Sequence, residues 1–462
     1  MKVWQDMDEI MKNVIVIGTG KSGIAAAKLL LEKGKSVTLY DDNIELDING
    51  CIHKVIGDND PDDRICVITG KEKLTSDKLK EFTLAVLSPG VPTDGDVATL
   101  LKDAGLKIWG EIELAWQFEK GKVLAITGTN GKTTTTSLLG QIMKAYGKTI
   151  VVGNIGTPYT EEVLKSSADS FTVAEISSFQ LETTHSFRPI VSAILNITPD
   201  HLNRHHTMEN YAAAKQDITK KQTGENVCVL NYMDAYTREF AKKCPAKVVF
   251  FSSGEKPENG LWYNDGMIFE VKDGEAAGVI AMSETKLLGE HNAENIMAAI
   301  AMAESAGVPR EMILEAVKAF RAVEHRIEYV KTVDGVDYYN DSKGTNPDAA
   351  IKAVKAMVKP VYIIAGGYDK ESTYDEWIDC FGGKVKGLVL LGQTAEKIKD
   401  CAIKHGFESI DMVQSLDEAV QCCHDKAVSG DAVLLSPACA SWGMFKNFEE
   451  RGDIFKELVN KL

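Results

Sequence analysis

The sequence predicts an α/β protein of three domains, each built on a mainly parallel sheet flanked by helices. Short apolar segments such as "NVIVIG", "VLAITG" and "VYIIAGG" alternate with segments of helical spacing, which is typical of parallel strands joined by helical crossovers. A chain of 462 residues is also too long for a single hydrophobic core. We predict domains at residues 1–117, 118–322 and 323–462.

The elements of each domain follow from these patterns. In the first domain, which we expect to be Rossmann-like, the strand "NVIVIG" precedes a glycine loop and a helix over 22–33. The polar stretch "FEKGK" at 118–122 is interpreted as a linker.

The central domain is predicted to resemble a P-loop ATPase, with a small antiparallel addition over 260–282, where turn residues separate short strands. The third domain is predicted to be Rossmann-like and to begin with a hairpin that turns at Asp334–Gly335.

Composition narrows the function classes. The formal charge is −15, from 52 basic and 67 acidic residues, which argues against general binding to nucleic acid or anionic membranes. Nine cysteines without a C-x-x-C pair indicate reduced thiols and neither a disulfide framework nor a zinc site. We expect a soluble, cytoplasmic monomer with no nucleic-acid or membrane partner.

A phosphate-binding loop is predicted at "GTNGKTTTT". Gly128 and Gly131 permit close approach of the backbone to an anion, and amides at a helix N-terminus attract phosphate. Lys132 would neutralise phosphate charge, and the Thr133 hydroxyl would bind Mg²⁺. The alternative is an ordinary turn before a threonine-capped helix, although four threonines are poor helix formers.

A second glycine loop, "GTGKSG", follows the first strand. Gly18, Gly20 and Gly23 are spaced as in dinucleotide-binding loops, and Asp41 and Asp42 end the next strand. A nucleotide-type ligand is favoured over a mere βαβ turn.

Other polar residues have weaker signals. Glu175 and His201 follow predicted strands, where carboxyl ends face a ligand crevice. His205 and His206 are interpreted as residues of a solvated loop, and Lys215 as a helix-surface lysine.

Asn292 and Asn295 share a helix face, and capping explains only Asn292. Arg326, Lys343 and Lys370 converge only if their loops face one cleft.

Taken together, these motifs resemble the Mur ligase family, the ATP-dependent amino-acid-adding ligases of peptidoglycan synthesis. "GTNGKTT" is similar to that family's shortened P-loop, and "GEHNAEN", "EHR" and "NDSKGTNPDA" follow in the family's order. The chain most resembles the branch that adds D-glutamate to UDP-N-acetylmuramoyl-L-alanine, because it contains "SPACAS" at residues 436–441 and lacks a D-N-P-R motif. Asn203 and Gly443 stand where that branch commonly has aspartate.

The resemblance implies a role for each site residue and a reaction through an acyl phosphate, with ATP and two Mg²⁺ ions. The expected ATP contacts are Gly128, Thr129, Asn130, Gly131, Lys132, Thr133, Thr134, Asn292, Asn295, Arg326 and Asp341. The expected contacts to the UDP substrate are Gly18, Gly20, Lys21, Ser22, Asp41, Asp42, Gly90 and Asn154. The expected D-glutamate contacts are Lys343, Thr345, Lys370, Ser441 and Phe448.

Catalysis is expected from Lys132, Glu175, His201 and Lys215. The metal ligands would be Thr133, Glu175, His201 and Lys215, the last only when carbamylated as in the family, because an ammonium ligates no metal. The alternatives are another ligase of this fold, adding L-alanine or making folylpolyglutamate. A GTPase-like module is disfavoured because no N-K-x-D motif is present.

Overall fold

The α/β class is confirmed by a computed structural model, which describes residues 4–57, 62–154, 156–321 and 323–462. The described residues form three sheets, and most strand pairs for which a register is given are parallel. No helix among these residues is long and apolar enough to cross a membrane. The domain boundary predicted at residue 322 lies outside the described residues, and the domain limits stay predictions.

The first sheet has the strand order β3-β2-β1-β4-β5, and every neighbouring pair is parallel. Its strands are β1 (Asn13–Ile17), β2 (Ser36–Asp41), β3 (Ile65–Thr69), β4 (Leu84–Leu87) and β5 (Lys107–Gly110). Its helices are α1 (Trp4–Ile10), α2 (Lys21–Glu32), α3 (Ile48–Ile56), α4 (Ser76–Leu79), α5 (Asp96–Asp103) and α6 (Glu111–Phe118). The run Val14–Val16 is fully buried because helices cover both faces.

The second sheet has the order β14-β13-β12-β11-β10-β9-β6-β8-β7. Its strands are β6 (Lys122–Thr127), β7 (Thr149–Gly153), β8 (Phe171–Glu175), β9 (Val191–Ile194), β10 (Val227–Asn231), β11 (Lys247–Ser252), β12 (Gly260–Asn264), β13 (Met267–Lys272) and β14 (Glu275–Ala281). The helices are α7 (Lys132–Tyr146), α8 (Tyr159–Glu162), α9 (Ser178–Leu181), α10 (Leu202–His205), α11 (Met208–Gln216), α12 (Ala235–Ala241), α13 (Glu290–Ser305) and α14 (Arg310–Ala319). Two-residue turns join β12, β13 and β14 in sequence, as the predicted antiparallel addition requires.

The third sheet has the order β15-β16-β20-β17-β18-β19, with only β15 and β16 antiparallel among its pairs. The strands are β15 (Glu328–Val333), β16 (Val336–Asn340), β17 (Val361–Ala365), β18 (Val385–Leu390), β19 (Ile410–Met412) and β20 (Ala432–Leu435). The helices are α15 (Pro347–Ala356), α16 (Asp375–Asp379), α17 (Ala395–Lys404), α18 (Leu416–Lys426) and α19 (Phe448–Lys461). The hairpin predicted at Asp334–Gly335 joins β15 to β16.

The chain forms two compact units. The first comprises residues 1–264, 269–279 and 295–317, and so holds the first sheet and most of the second. The second comprises residues 265–268, 280–294 and 318–462, and holds the third sheet.

The predicted linker at 118–122 is part of a packed region in the first unit. Glu119 is 8% exposed, and its Oε2 accepts hydrogen bonds from the Tyr159 hydroxyl at 2.6 Å and the Thr172 hydroxyl at 2.8 Å. The segment joins α6 to β6, and the linker interpretation stays a prediction. Its composition did not reveal that Glu119 is buried, because a polar residue at such a junction can satisfy buried donors of the neighbouring element.

Glu113 on α6 is a second buried carboxylate, and it accepts hydrogen bonds from a loop of the central domain. Its carboxylate is 1% exposed and accepts the backbone N–H groups of His185 at 2.8 Å, Ser186 at 3.0 Å and Phe187 at 3.2 Å. One ionised side chain therefore satisfies three consecutive amides and attaches α6 to that loop.

We expect Glu113→Ala to lower the free energy of unfolding of the first unit by about 3 kcal/mol, because hydrogen bonds to a charged group are lost and buried amides lose their acceptor. Urea unfolding monitored by circular dichroism measures this. Glu239→Ala, which removes a 71% exposed glutamate on α12, is the control and should leave the transition nearly unchanged. Equal effects of the two substitutions would contradict the role of Glu113.

Candidate active site

Three adjacent strands of the second sheet carry the central candidate residues. In the order β9-β6-β8, Gly128 follows β6, Glu175 ends β8, and the segment that includes His201 follows β9. All pairs are parallel, so their carboxyl ends open on the same edge. Neighbouring parallel strands thus bring together residues that are far apart in sequence.

The phosphate-type loop is shaped by two glycines. Gly131 has φ +86°, and an added Cβ would lie 2.3 Å from the Asn295 side-chain oxygen. Gly128 has φ +150° and lies against Leu195. Asn196 clamps the loop, since its amide accepts from the Asn130 N–H at 2.8 Å and donates to the Asn130 carbonyl at 3.1 Å. The loop is therefore preformed by contacts that leave no room for side chains at its glycines.

Two lysines donate to the same backbone oxygen of this loop. Lys132 Nζ and Lys215 Nζ each lie 2.8 Å from the Gly128 carbonyl oxygen, and Lys132 also donates to the Thr129 carbonyl at 2.8 Å. Two ammonium groups at one oxygen repel each other, which favours loss of a proton from one of them.

The environment of Lys215 disfavours its protonated form. It is 2% exposed, and burial together with the charge of Lys132 holds its pKa well below the ordinary lysine value, against an opposing effect of Asp200. Its Nζ also lies 4.5 Å from the centroid of the Tyr211 ring. The helix-surface interpretation of Lys215 was wrong because α11 turns this residue inward under the loop, a placement that the alanine-rich helix sequence does not encode.

Glu175 presents a buried carboxylate with one unsatisfied oxygen. The residue is 1% exposed, its Oε1 accepts from Asn154 Nδ2 at 2.8 Å, and its Oε2 has no hydrogen-bond partner. A buried carboxylate oxygen without a donor is costly and marks a position where a cation would be stabilised.

His201 adopts a left-handed backbone conformation with φ +53° before α10. Its ring lies 4.9 Å from that of Phe179, and half of its side chain is exposed. His206 is exposed, as the sequence predicted, whereas His205 is not. His205 is 6% exposed, contacts the Ser178 hydroxyl at 2.9 Å, and has its pKa lowered by burial.

A cavity of about 240 Å³ connects several predicted residues with others that the sequence did not single out. The predicted lining residues are Gly90, Lys132, Asn154, His201 and Lys215. The additional lining residues are Pro89, Ser177, Ser178, Phe179, Asp200 and Tyr211. Gly90 follows β4 of the first sheet, so residues of the first two sheets border one cavity within the first unit.

The missed residues had faint signals. Asp200 directly precedes His201, and Tyr211 lies one helical turn before Lys215 on α11. The Tyr211 hydroxyl lies 3.1 Å from the Thr129 hydroxyl, which links α11 to the loop. Thr129 and Thr134 are themselves 8% and 3% exposed.

The glycine loop of the first sheet follows β1. The strand order of this sheet reverses between β1 and its neighbour β4, which is where ligands bind in open parallel sheets. Gly23 is required by close packing, since an added Cβ would lie 1.9 Å from the Gly18 carbonyl oxygen, whereas Gly20 faces open space. Asp41 accepts hydrogen bonds from the Thr19 N–H at 3.1 Å and hydroxyl at 2.7 Å. Asp41 thus supports the loop conformation.

Electrostatics favour the ionised form of Asp41. Burial opposes ionisation, but the hydrogen bonds from Thr19 and the Asn43 N–H outweigh it and lower the pKa of Asp41. Asp42 is more exposed and accepts from the Tyr40 hydroxyl at 2.6 Å. Lys21, at the start of α2 beside Ser22, donates to the Gly156 carbonyl.

In the second unit, Asp341 directly follows β16, at the edge where β20 also ends. It is fully buried, and burial raises its pKa to about 6 even though Arg326 lies 3.7 Å from its Oδ1. The Ser436 hydroxyl donates to Oδ2 at 2.9 Å. Asn292 of this unit, in the first turn of α13, donates from its side-chain Nδ2 to the Leu288 carbonyl oxygen at 2.7 Å.

The predicted D-glutamate residues occupy loops of the same unit. Lys343 lies 5.3 Å from the centroid of the Phe448 ring, and Lys370 lies 5.6 Å from that of Trp442. Ser441 is 4% exposed, and the Thr345 N–H donates to the Lys343 carbonyl. Each cation is accompanied by an aromatic face, which orients its ammonium group.

Three family profiles match the chain in sequence order. Residues 12–110 match the Mur ligase MurD-like N-terminal domain, residues 126–303 the Mur ligase middle domain, and residues 325–439 the Mur ligase glutamate ligase domain. The chain is 57% identical to the UDP-N-acetylmuramoylalanine–D-glutamate ligase of Lachnospira eligens, over 99% of this chain and 100% of that protein. The ligase of the same name from Clostridioides difficile is 45% identical, with coverage of 99% and 100%.

Solved structures show the same fold at low sequence identity. The UDP-N-acetylmuramate–alanine ligase of Thermotoga maritima superposes with a TM-score of 0.62 at 19% identity, covering 98% of this chain and 99% of that one. The MurF ligase of Thermotoga maritima, solved in complex with ADP, gives a TM-score of 0.60 at 17% identity with the same coverage.

The loop geometry predicts a specific defect for Gly131→Ala. The substitution combines an unfavourable positive φ, a cost of about 1 kcal/mol, with a clash against Asn295, so we expect ATP affinity to fall at least tenfold. Gly105→Ala is the matched control, because Gly105 has φ +75° but open space around its Cβ position. Isothermal titration calorimetry distinguishes the two, and unchanged ATP affinity in Gly131→Ala would contradict the preformed loop.

Proposed function

This chain belongs to the Mur ligase family, and on that premise we propose that it joins D-glutamate to UDP-N-acetylmuramoyl-L-alanine at the expense of ATP. The proposal places the chain in peptidoglycan precursor synthesis in the cytoplasm, and hence in cell-wall growth, cell shape and division. The observation that carries it is the cavity in which Gly90 of the first sheet meets Lys132, Asn154, His201 and Lys215 of the second. The full-length relatives that bear the D-glutamate ligase name support the choice of amino acid.

The reaction needs an activated carboxylate, because a free carboxylate is a poor acceptor for an amine. Transfer of the γ-phosphoryl group of ATP to the L-alanyl carboxylate gives an acyl phosphate and ADP. The amine of D-glutamate then attacks the acyl carbon, phosphate leaves, and an amide forms. Catalysis of the first step depends on positioning and charge neutralisation, for which Lys132 lies in the cavity at the start of α7.

The residues present fit a divalent cation such as Mg²⁺. Glu175 Oε2 is buried without a donor, which suits a cation ligand, and the Thr133 hydroxyl is a further hard oxygen at the start of α7. His201 borders the cavity and adds an imidazole donor. When bound, Mg²⁺ would neutralise phosphate charge. The use of two ions, with carbamylated Lys215 as a ligand, is part of the proposal.

D-Glutamate is proposed to bind in the second unit through Lys343, Thr345, Lys370, Ser441 and Phe448, where cations and a hydroxyl suit its two carboxylates. ATP is proposed to be held by the phosphate-type loop and Asn295. Asn292, Arg326 and Asp341 are proposed as ATP contacts on the family resemblance alone. Gly18, Gly20, Lys21, Ser22, Asp41 and Asp42 are proposed to hold the uridine diphosphate.

Phosphate release tests the function directly. We expect release only when ATP, UDP-N-acetylmuramoyl-L-alanine and D-glutamate are all present, and not with L-alanine or other amino acids of a panel. Lys132→Ala should reduce turnover by about 100-fold or more, because it removes charge stabilisation from the phosphoryl-transfer step. Near-normal turnover of a folded Lys132→Ala variant, or a preference for another amino acid, would overturn the proposal.

Lys215 supplies a sharper prediction. Burial lowers the pKa of Lys215 and so favours the neutral amine, the form that reacts with carbon dioxide. We therefore expect Lys215→Ala to lose most activity and formate or acetate to restore part of it. A small carboxylate can occupy the vacated space and offer oxygens to a hard cation.

Lys144→Ala, on the exposed face of α7, is the control and should keep full activity with or without added carboxylate. Kinetics are preferable to mass spectrometry because acid reverses carbamylation. A fully active Lys215→Ala variant, or an inactive folded one that no carboxylate rescues, would remove Lys215 from the proposed site.

A further inference from the structure

Two helices of the second unit place three metal-ligating side chains together, away from the predicted D-glutamate residues. Asp375 lies at the start of α16, while Cys401 and His405 lie on and directly after α17. The ligand atoms of these three side chains all lie within 4.8 Å of one another. Cys401 and His405 are four residues apart, so a helical turn aligns them on one face.

The imidazole of His405 is oriented as in metal sites. Its Nδ1 lies 2.7 Å from Asp379 Oδ1, and its Nε2 lies 3.0 Å from Asp375 Oδ1. Metal-bound histidines commonly donate one ring N–H to a carboxylate while the other nitrogen binds the ion. Asp379 matches that outer carboxylate, which leaves Nε2 directed toward Asp375 and Cys401.

The donor chemistry selects the class of ion. A thiol, an imidazole and a carboxylate suit Zn²⁺ and similar borderline ions, whereas Mg²⁺ and Ca²⁺ take oxygen ligands. The His405 side chain is 20% exposed and that of Asp375 is 46% exposed, so an ion can enter from solvent. Lys404 Nζ lies 3.2 Å from Asp375 Oδ1, but its side chain is 73% exposed and can move away.

A second cluster of metal-ligating side chains differs from this one because a lysine ammonium lies among its carboxylates. Glu324, His325 and Asp453 also place ligand atoms within 4.8 Å of one another. There Lys456, only 19% exposed, lies 3.2 Å from Asp453 and contacts Glu324 as well, so an ammonium already neutralises the carboxylates. At His405 the carboxylates of Asp375 and Asp379 face the imidazole itself, so an ion would take the place of the proton on Nε2, which lies 3.0 Å from Asp375 Oδ1.

We propose that Asp375, Cys401 and His405 bind a Zn²⁺-class ion that links α16 to α17, with a solvent molecule completing the coordination. Binding releases two protons to solvent, one from the Cys401 thiol and one from His405 Nε2, and changes no oxidation state. The proposed site departs from the expectation, based on the missing C-x-x-C pair, that the chain has no zinc site. Its ligands come from two helices and include one cysteine, whereas zinc motifs are recognised by paired cysteines or histidines.

Titration of the full chain with Co²⁺ tests the proposal, because a cobalt–thiolate bond produces a near-ultraviolet charge-transfer band. We expect one equivalent to give this band, excess Zn²⁺ to abolish it, and Zn²⁺ to raise the melting temperature. Cys401→Ser and His405→Ala should each lose the band and the thermal shift. Cys66→Ser is the control, since Cys66 is exposed on the first sheet and should not matter.

Asp379→Asn adds a test that does not depend on removing a ligand. It should keep the cobalt–thiolate band but weaken metal affinity by about 10–100-fold, because the outer carboxylate no longer orients His405. Absence of the band in the wild type, its persistence in Cys401→Ser, or its loss in Cys66→Ser would overturn the proposal.

Discussion

The carbonyl oxygen of Gly128 is the point on which the candidate active site depends. Lys132 and Lys215 both donate to it at 2.8 Å, and burial of Lys215 beside the charge of Lys132 holds the Lys215 pKa low. The position of Lys215 under the phosphate-type loop therefore favours the neutral form of its amine. This arrangement requires the positive φ angles of the loop glycines and the inward orientation of Lys215 on α11. The loop, the two lysines and α11 therefore depend on one another.

The candidate residues around this contact lie at the edge of the sheet where parallel strands end. In the second sheet the candidate residues follow β6 and its two spatial neighbours β8 and β9, neither of which is next to β6 in sequence. Backbone groups at these strand ends are not all used by the sheet, so side chains and ligands can reach them. The unsatisfied oxygen of Glu175 lies at such an end, where a cation offsets the cost of burying a charge.

Buried carboxylates also connect the first sheet to the second. Glu113 and Glu119 are 1% and 8% exposed and accept hydrogen bonds from loops and strands of the central domain. A charged junction of this kind is directional, since each carboxylate must meet its donors to offset its desolvation. Gly90, which follows β4 of the first sheet, borders the cavity that Lys132 and Lys215 also line.

The sequence by itself determined the α/β class, the order of most strands and helices, and the two glycine loops, because apolar periodicity and glycine spacing are local properties of the chain. It also identified the family, through motifs kept in order. Tertiary structure alone decided that Lys215 and His205 are buried, that the 118–122 segment is packed, and that Asp200 and Tyr211 line the cavity. These outcomes depend on which surfaces meet across sheets and helices, and no local pattern of charge or hydrophobicity encodes such long-range contacts.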